Sequence, residues 1–254
     1  MLFYSQTFRI RIGETDGRQR LTVPALAGLL QESAWEHTVT RQLDVPRLLQ
    51  HGLSWVLSRM RIEVGMLPVF GQTIQLDTWV SAIDRYFYYR EFCLTDTVSQ
   101  QILLRATSVW GVFDVEKRRV IPIPDFIRDR TAVHTETPAL APATGKLPPV
   151  VEPLFSQSFT VVWHDLDANR HVNNTRYFQW LLDAFPADWL DHHRIQLLDV
   201  VFRGEAALGE TITAQIAPGG VPSGGVPSEN STSFLHHIRT DDGRVLAQAR
   251  SIWV

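Results

Sequence analysis

Residues 163–176 read WHDLDANRHVNNTR, and an apolar, aromatic run, YFQWLLDAF, follows at once. Carboxylate, carboxamide and imidazole groups beside the start of a buried helix can serve two ends. They can cap the helix, because Asp and Asn accept hydrogen bonds from the unpaired N–H groups of its first turn. They can also act on a carbonyl group, because carboxylates and imidazoles move protons while the helix start offers N–H donors and partial positive charge to a developing oxyanion. In an extended segment alternate side chains share a face. Asp167, Asn169 and His171 then point together toward a helix that starts near Asn173 or Asn174. Taken alone, the cluster reads most simply as a cap and a turn, with His171 a satisfied structural side chain.

A second copy within the chain changes that balance. FRIRIGETDGRQRLTVPALAGLLQES, from Phe8, and FTVVWHDLDANRHVNNTRYFQWLLDA, from Phe159, overlay without a gap at an offset of 151 residues. GQTIQL (from Gly71) recurs as GETITA (from Gly209), and ATSVW (Ala106–Trp110) as ARSIW (Ala249–Trp253), in the same order. Such self-similarity marks a duplicated domain. At the cluster, copy one carries Asp16, Arg18 and Arg20 where copy two carries Asp167, Asn169 and His171. The aspartate is kept and the other two are not, so one copy reads as chemical and the other as structural. A further acid, Glu205, stands where copy one has Leu67 when the Gly-x-Thr-Ile motifs are superposed. Its plain alternative is a loop carboxylate facing water.

The elements that must position these groups repeat as well. Thr22 suits an N-cap and Pro24 a first helical turn, ahead of Leu26, Leu29, Leu30, Ser33 and Ala34 at helical spacing. SWVLSRMRIEV, QTIQLDTWVSA, YYREFCLTD and QILLRATSVWGVFD are β-branched and aromatic runs separated by turn residues. In copy two, Tyr177, Phe178, Leu181, Leu182 and Phe185 form one apolar stripe that stops at Pro186. One helix followed by several strands, twice, predicts an α+β fold in which each helix packs on an antiparallel sheet. The expected organisation is an N-terminal domain over 1–130, a Pro-rich extended linker over 131–153 and a C-terminal domain over 154–254. PGGVPSGGVPSENS (from Pro218) reads as a surface loop between two strands.

Composition bounds the rest. Hydrophobic residues make up 44% and charged residues 20% of 254, with a net charge of −3, which gives no global attraction to nucleic acid or to an anionic membrane. No apolar run approaches membrane-spanning length, and the start, MLFYSQTFRIR, lacks the pattern of a signal peptide. The expectation is a cytoplasmic, soluble protein. The single cysteine, Cys93, excludes an internal disulfide and a multi-cysteine metal site, and no cofactor is implied.

At this point the residues match a family. LLQESAWEH, LSWVLSRMRIEV, GQTIQLDTWVSA and RATSVWGVFD in the first half, with DLDANRHVNNTRY and the acidic position of FRGEA in the second, resemble the plant-type acyl-acyl-carrier-protein thioesterases in their bacterial form. The resemblance implies two fused hotdog domains and carries the family's catalytic set onto Asp167, Asn169, His171 and Glu205. A cysteine common in the family directly after the glutamate is Ala206 here. The implied mechanism is therefore attack by water, with Glu205 as base, and Asn169, His171 and the helix-start N–H groups holding the carbonyl. Asp167 orients Asn169 or His171, or shares the base role. The resemblance places the acyl tail beside the first helix, with Leu26, Leu29, Leu30, Trp55 and Trp79 as candidate lining and chain length open. Asn173, Asn174 and Arg176 are candidate substrate-binding residues at the second helix. The implied partner is acyl carrier protein, docking on a local basic face drawn from Arg9, Arg11, Arg18, Arg20, Lys117, Arg118, Arg119 and Arg176; a homodimer is left open. The alternatives are an acyl-coenzyme A thioesterase, a hotdog β-hydroxyacyl dehydratase and a non-enzymatic acyl-binding module.

Overall fold

In a computed structural model the chain is described over residues 2–137, 140, 145–167, 170–220 and 231–254. It divides into two compact units, Met1–Ala143 and Thr144–Val254.

The first unit runs β1 (Phe3–Arg9), α1 (Val23–Thr40), α2 (Val45–Leu49), β2 (Leu53–Val64), β3 (Thr73–Ile83), β4 (Phe87–Asp96), β5 (Ile102–Asp114), β6 (Arg119–Ile121) and α3 (Asp125–Asp129). Its antiparallel strands lie in the order β1-β3-β4-β5-β2, with β6 added alongside β5. The second unit runs β7 (Phe155–Thr160), α4 (Asn174–Asp183), α5 (Ala187–His192), β8 (Ile195–Phe202), β9 (Thr211–Pro218), β10 (Thr232–Thr240) and β11 (Val245–Trp253). Its order, β7-β9-β10-β11-β8, is the same path taken by the corresponding strands. The α+β architecture expected from the sequence is thus present in each unit, α1 lying against β1 and β3 and α4 against β9 and β10. No helix among the described residues is long and apolar enough to cross a membrane.

Both helices start as their sequences dictate. The Thr22 hydroxyl accepts the Ala25 N–H, with proline in the first turn, and Asn173 caps α4 through the Thr175 N–H. The two differ in length, 18 residues against 10. At the offset of 151 residues, Pro186 stands where Trp35 continues α1; proline has no N–H for the helical ladder, so α4 ends and Pro186 caps the short α5 instead. Phe185, just past the end of α4, stays buried among Phe155, Phe234 and Trp253.

The loop ahead of each helix is built twice with the same hydrogen bonds. A 3-10 turn at Ile12–Glu14 recurs at Trp163–Asp165. The Glu14 and Asp165 carboxylates accept the N–H of residues 11 and 162, at 2.7 and 2.8 Å. The Asp16 N–H donates to the Arg20 carbonyl at 2.8 Å, and the Asp167 N–H to the His171 carbonyl at 2.8 Å. Gln19 and Arg170 both take a left-handed φ, 62° and 63°. Gly71 and Gly209, at φ 80° and 81°, donate to Ile10 and Val161; only glycine takes such a backbone at no steric cost. The linker has neither helix nor strand among its described residues. His134 is tied to Val80 and Val150 to His237. Residues 138, 139, 141–144 and 221–230, which include most of the Pro218 loop, lie outside the described residues.

Asp16 tests the loop without touching the cluster. Burial raises its carboxyl, but hydrogen bonds from the Arg20 N–H and guanidinium and the Arg18 N–H outweigh it and hold the pKa below 3.8. A depressed carboxylate stabilises the fold above its unfolded pKa and loses that contribution as pH falls through the folded value. Asp16→Ala is expected to cost about 1–3 kcal/mol at neutral pH, and the gap from wild type should close below about pH 4. Thermal midpoints measured from pH 7 to pH 2 check this; a constant gap across that range contradicts it.

Candidate active site

In the second unit, one approach joins the sequence-predicted acids and imidazole. His171 Nδ1 lies 3.5 Å from Glu205 Oε1, both side chains more than half exposed, at 56% and 53%. His171 is delivered by the loop before α4, and Glu205 by the irregular segment after β8. The equivalence of Glu205 with Leu67 is visible in the backbone. The Leu103 carbonyl accepts from Gly65 and Met66, and the Leu246 carbonyl accepts from Arg203 and Gly204. The next residue in each segment is Leu67 or Glu205. Copy one therefore presents Arg20 and Leu67 where copy two presents His171 and Glu205.

Asp167 serves the loop. Its Oδ1 accepts the His171 N–H at 3.2 Å, as Asp16 accepts the Arg20 N–H at 2.9 Å. That contact fits the role of orienting His171 read from the sequence. Asn169 lies outside the described residues. At the helix start, the Asn173 side-chain oxygen is occupied by the Thr175 N–H and hydroxyl, both at 3.0 Å, and the Arg176 N–H donates to the Asn173 carbonyl. Asn173 is thus a cap for α4.

Arg176 also departs from expectation. Its guanidinium pairs with the buried Asp165 at 3.2 Å and donates to the His164 carbonyl and to Gln179. It braces the 3-10 turn against α4, an internal task that a basic residue in the first turn of a helix does not reveal in sequence. Arg11, Arg20 and Lys117 likewise hold carboxylates, Glu14, Asp16 and Asp114. Four of the eight basic residues expected on a docking face, Arg11, Arg20, Lys117 and Arg176, are thus paired within the fold.

The candidate tail-binding residues belong to the first unit. Leu26, Leu29 and Leu30 form the buried face of α1. Trp55 donates its indole N–H to the Leu43 carbonyl and packs on Tyr88. Trp79 does not lie beside α1. Thr78 shares a face with Arg90 and His37 of α1, and alternation along β3 turns Trp79 to the other face, against Phe3 and His134. Cys93 sits in β4 of the same unit, its sulfur 3.9 Å from the Thr95 hydroxyl. Among the described residues no group of three or more His, Cys, Asp or Glu could hold a metal ion.

Two side chains not singled out from the sequence reach the Glu205 segment. The Tyr177 hydroxyl accepts the Ala206 N–H at 3.1 Å and donates to the Gly204 carbonyl at 3.4 Å. Arg244 donates to the Glu205 carbonyl at 2.7 Å and pairs with Glu210 at 2.6 Å. In sequence Tyr177 reads as one more member of an apolar stripe; the signal that separates it is the Leu26 opposite it in copy one.

Known proteins resemble this chain in sequence and fold. The profile for the acyl-ACP thioesterase N-terminal domain matches residues 1–131, and that for the C-terminal domain residues 151–254. A palmitoyl-acyl carrier protein thioesterase of Cuphea hookeriana is 29% identical over 99% of this chain and 62% of its own length. The oleoyl-acyl carrier protein thioesterase 1 of Arabidopsis thaliana is 28% identical over 99% of this chain and 76% of its own. Both relatives are chloroplastic, and the chain spans less than two thirds of the palmitoyl-type relatives it matches. Among solved structures, a Lactobacillus plantarum protein assigned as an oleoyl thioesterase superposes with a TM-score of 0.86 at 27% identity, covering 99% of this chain and 95% of that one. The 12:0-ACP thioesterase of Umbellularia californica shares the fold, with a TM-score of 0.85 at 23% identity over 100% of this chain and 94% of its own. With both halves matched in order and a Glu205–His171 approach confined to the second, this chain belongs to the acyl-ACP thioesterase family.

Proposed function

We propose that this chain hydrolyses fatty acyl thioesters of acyl carrier protein, releasing a free fatty acid and the carrier thiol, with water as the nucleophile. The observation that carries the reading is the 3.5 Å approach of His171 and Glu205 in one copy, at positions held by Arg20 and Leu67 in the other. Family membership and the carrier-protein substrates named for the relatives support the choice of thioester.

In this mechanism the Glu205 carboxylate accepts a proton from water as its oxygen attacks the thioester carbonyl. His171 and the Asn174 N–H face the oxygen on which negative charge develops, with Asn169 the fourth member of the set by family resemblance. The C–S bond then breaks, and the thiolate leaves and takes up a proton. A thiolate leaves without the acid assistance an amine needs, so one base and an oxyanion site suffice. Exposure of the Glu205 and His171 side chains lets water reach both. Ala206 stands beside Glu205 and Cys93 in the other unit, which leaves no cysteine in the proposed set.

Release of free thiol from acyl carrier protein, acyl-coenzyme A and a small synthetic thioester tests the reading. Preference for the carrier-protein substrate supports it. Equal rates on coenzyme A would make this a general thioesterase, and an enoyl product without free thiol would make it a dehydratase. Glu205→Gln and His171→Ala should each lower kcat by roughly 10²–10⁴; wild-type turnover in Glu205→Gln removes it as base. Cys93→Ser should keep kcat within about twofold, and an acyl adduct on Cys93 would contradict a water mechanism. Because Arg176 braces the Asp165 turn, Arg176→Glu should lower the thermal midpoint and slow the carrier-protein and synthetic substrates alike. A defect confined to the carrier protein would instead make Arg176 a docking residue.

A further inference from the structure

The Glu205 carboxylate reaches His171 from a segment outside any strand, and its own side chain is half exposed. Its position must therefore come from the backbone that carries it. Two side chains hold that backbone through three hydrogen bonds. The Tyr177 hydroxyl on α4 takes the N–H of residue 206 and gives its proton to the carbonyl of residue 204, gripping the peptide on both sides of Glu205. Arg244, from the turn between β10 and β11, donates to the carbonyl of Glu205 itself while its other nitrogen holds Glu210. Tyr177 is itself immobilised, 2% exposed and edge-on to Trp180 and Phe202.

Copy one has none of this. Leu26 stands at the offset of Tyr177, and Pro68, which has no N–H to satisfy, stands in place of Ala206. Gln101 occupies the place of Arg244: its carbonyl accepts from Asp96 as the Arg244 carbonyl accepts from Thr240. Donor and acceptor of the tyrosine bond are thus absent together from the copy in which the glutamate is a leucine. A merely structural need to satisfy a buried N–H explains Tyr177 but not Arg244, whose target is an exposed carbonyl that water could serve.

We propose that Tyr177 and Arg244 are positioning residues for Glu205, fixing its carboxylate at working distance from His171; the proposal rests on the hydrolytic reading above. Burial pushes the Tyr177 hydroxyl up to about 12, with the Ala206 N–H acting in the opposite direction and Glu205 adding to the rise, so the proton it donates to Gly204 is retained throughout any assay range. A misplacement of about 1 Å costs on the order of a hundredfold in rate.

The test combines hydrogen exchange with a double-mutant cycle. Tyr177→Phe keeps the ring and its packing. It should speed amide exchange at Ala206 at least tenfold, with circular dichroism unchanged, and lower kcat about 10- to 100-fold while KM stays within about twofold. Arg244→Gln, which installs the residue of copy one, should act in the same direction. In a Glu205→Gln background neither change should lower kcat further, because there is no longer a base to misplace. Unchanged exchange at Ala206, a wild-type kcat in Tyr177→Phe, or equal fold-losses in both backgrounds overturns the positioning role while leaving hydrolysis intact. A wild-type chain that frees no thiol from any acyl thioester overturns the hydrolytic reading, and the positioning role falls with it.

Discussion

A carboxylate that accepts the backbone N–H four residues ahead of it shapes the loop before the main helix in both halves of this chain: Asp16 with Arg20, and Asp167 with His171. Around that bond the carbonyl of the later residue takes the N–H of the aspartate, a residue with left-handed φ turns the corner, and a preceding 3-10 turn is tied down by its own acid. These bonds set the fourth residue after the aspartate beside the helix start. What is presented differs. Arg20 folds back on Asp16 as an ion pair, whereas His171 is left to meet Glu205.

One backbone thus supports a structural end and a chemical end. In the first unit the corresponding positions carry Leu26, Leu67 and Pro68, side chains that need no polar partner. In the second the same places carry Tyr177, Glu205 and Ala206, and each added polar group is matched: hydroxyl to peptide, peptide to guanidinium, guanidinium to Glu210. The buried Tyr177 hydroxyl and Ala206 N–H satisfy each other, and either left alone would be costly, which accounts for their both being absent from the first unit. The two groups left exposed, His171 and Glu205, can remain so because water solvates them.

Much of this was legible before any coordinates. A gapless offset of 151 residues identified the duplication, capping chemistry marked the starts of α1 and α4, and the Gly-x-Thr-Ile motifs aligned Glu205 with Leu67 as the backbone hydrogen bonds also do. Other side chains make contacts that the sequence did not reveal, for identifiable reasons. Arg176 read as a surface cation because nothing in its neighbourhood shows that Asp165 is buried and turned toward it. Trp79 read as a companion of α1, yet a single step along β3 puts it on the opposite face from Thr78. The Asn173 side-chain oxygen caps α4, which leaves its carboxamide N–H groups outside the cap.

What the sequence by itself determined is local or repetitive: where helices begin and end, which runs are strands, and which positions differ between two copies of one fold. Those depend on neighbours within a few residues or on comparison of the chain with itself. Only the tertiary structure decided which polar groups meet. Tyr177 with residues 204 and 206, Arg244 with residue 205, and His171 with Glu205 are separated by tens of residues in the chain. Their approach is fixed by strand order and sheet register, neither of which any one segment encodes.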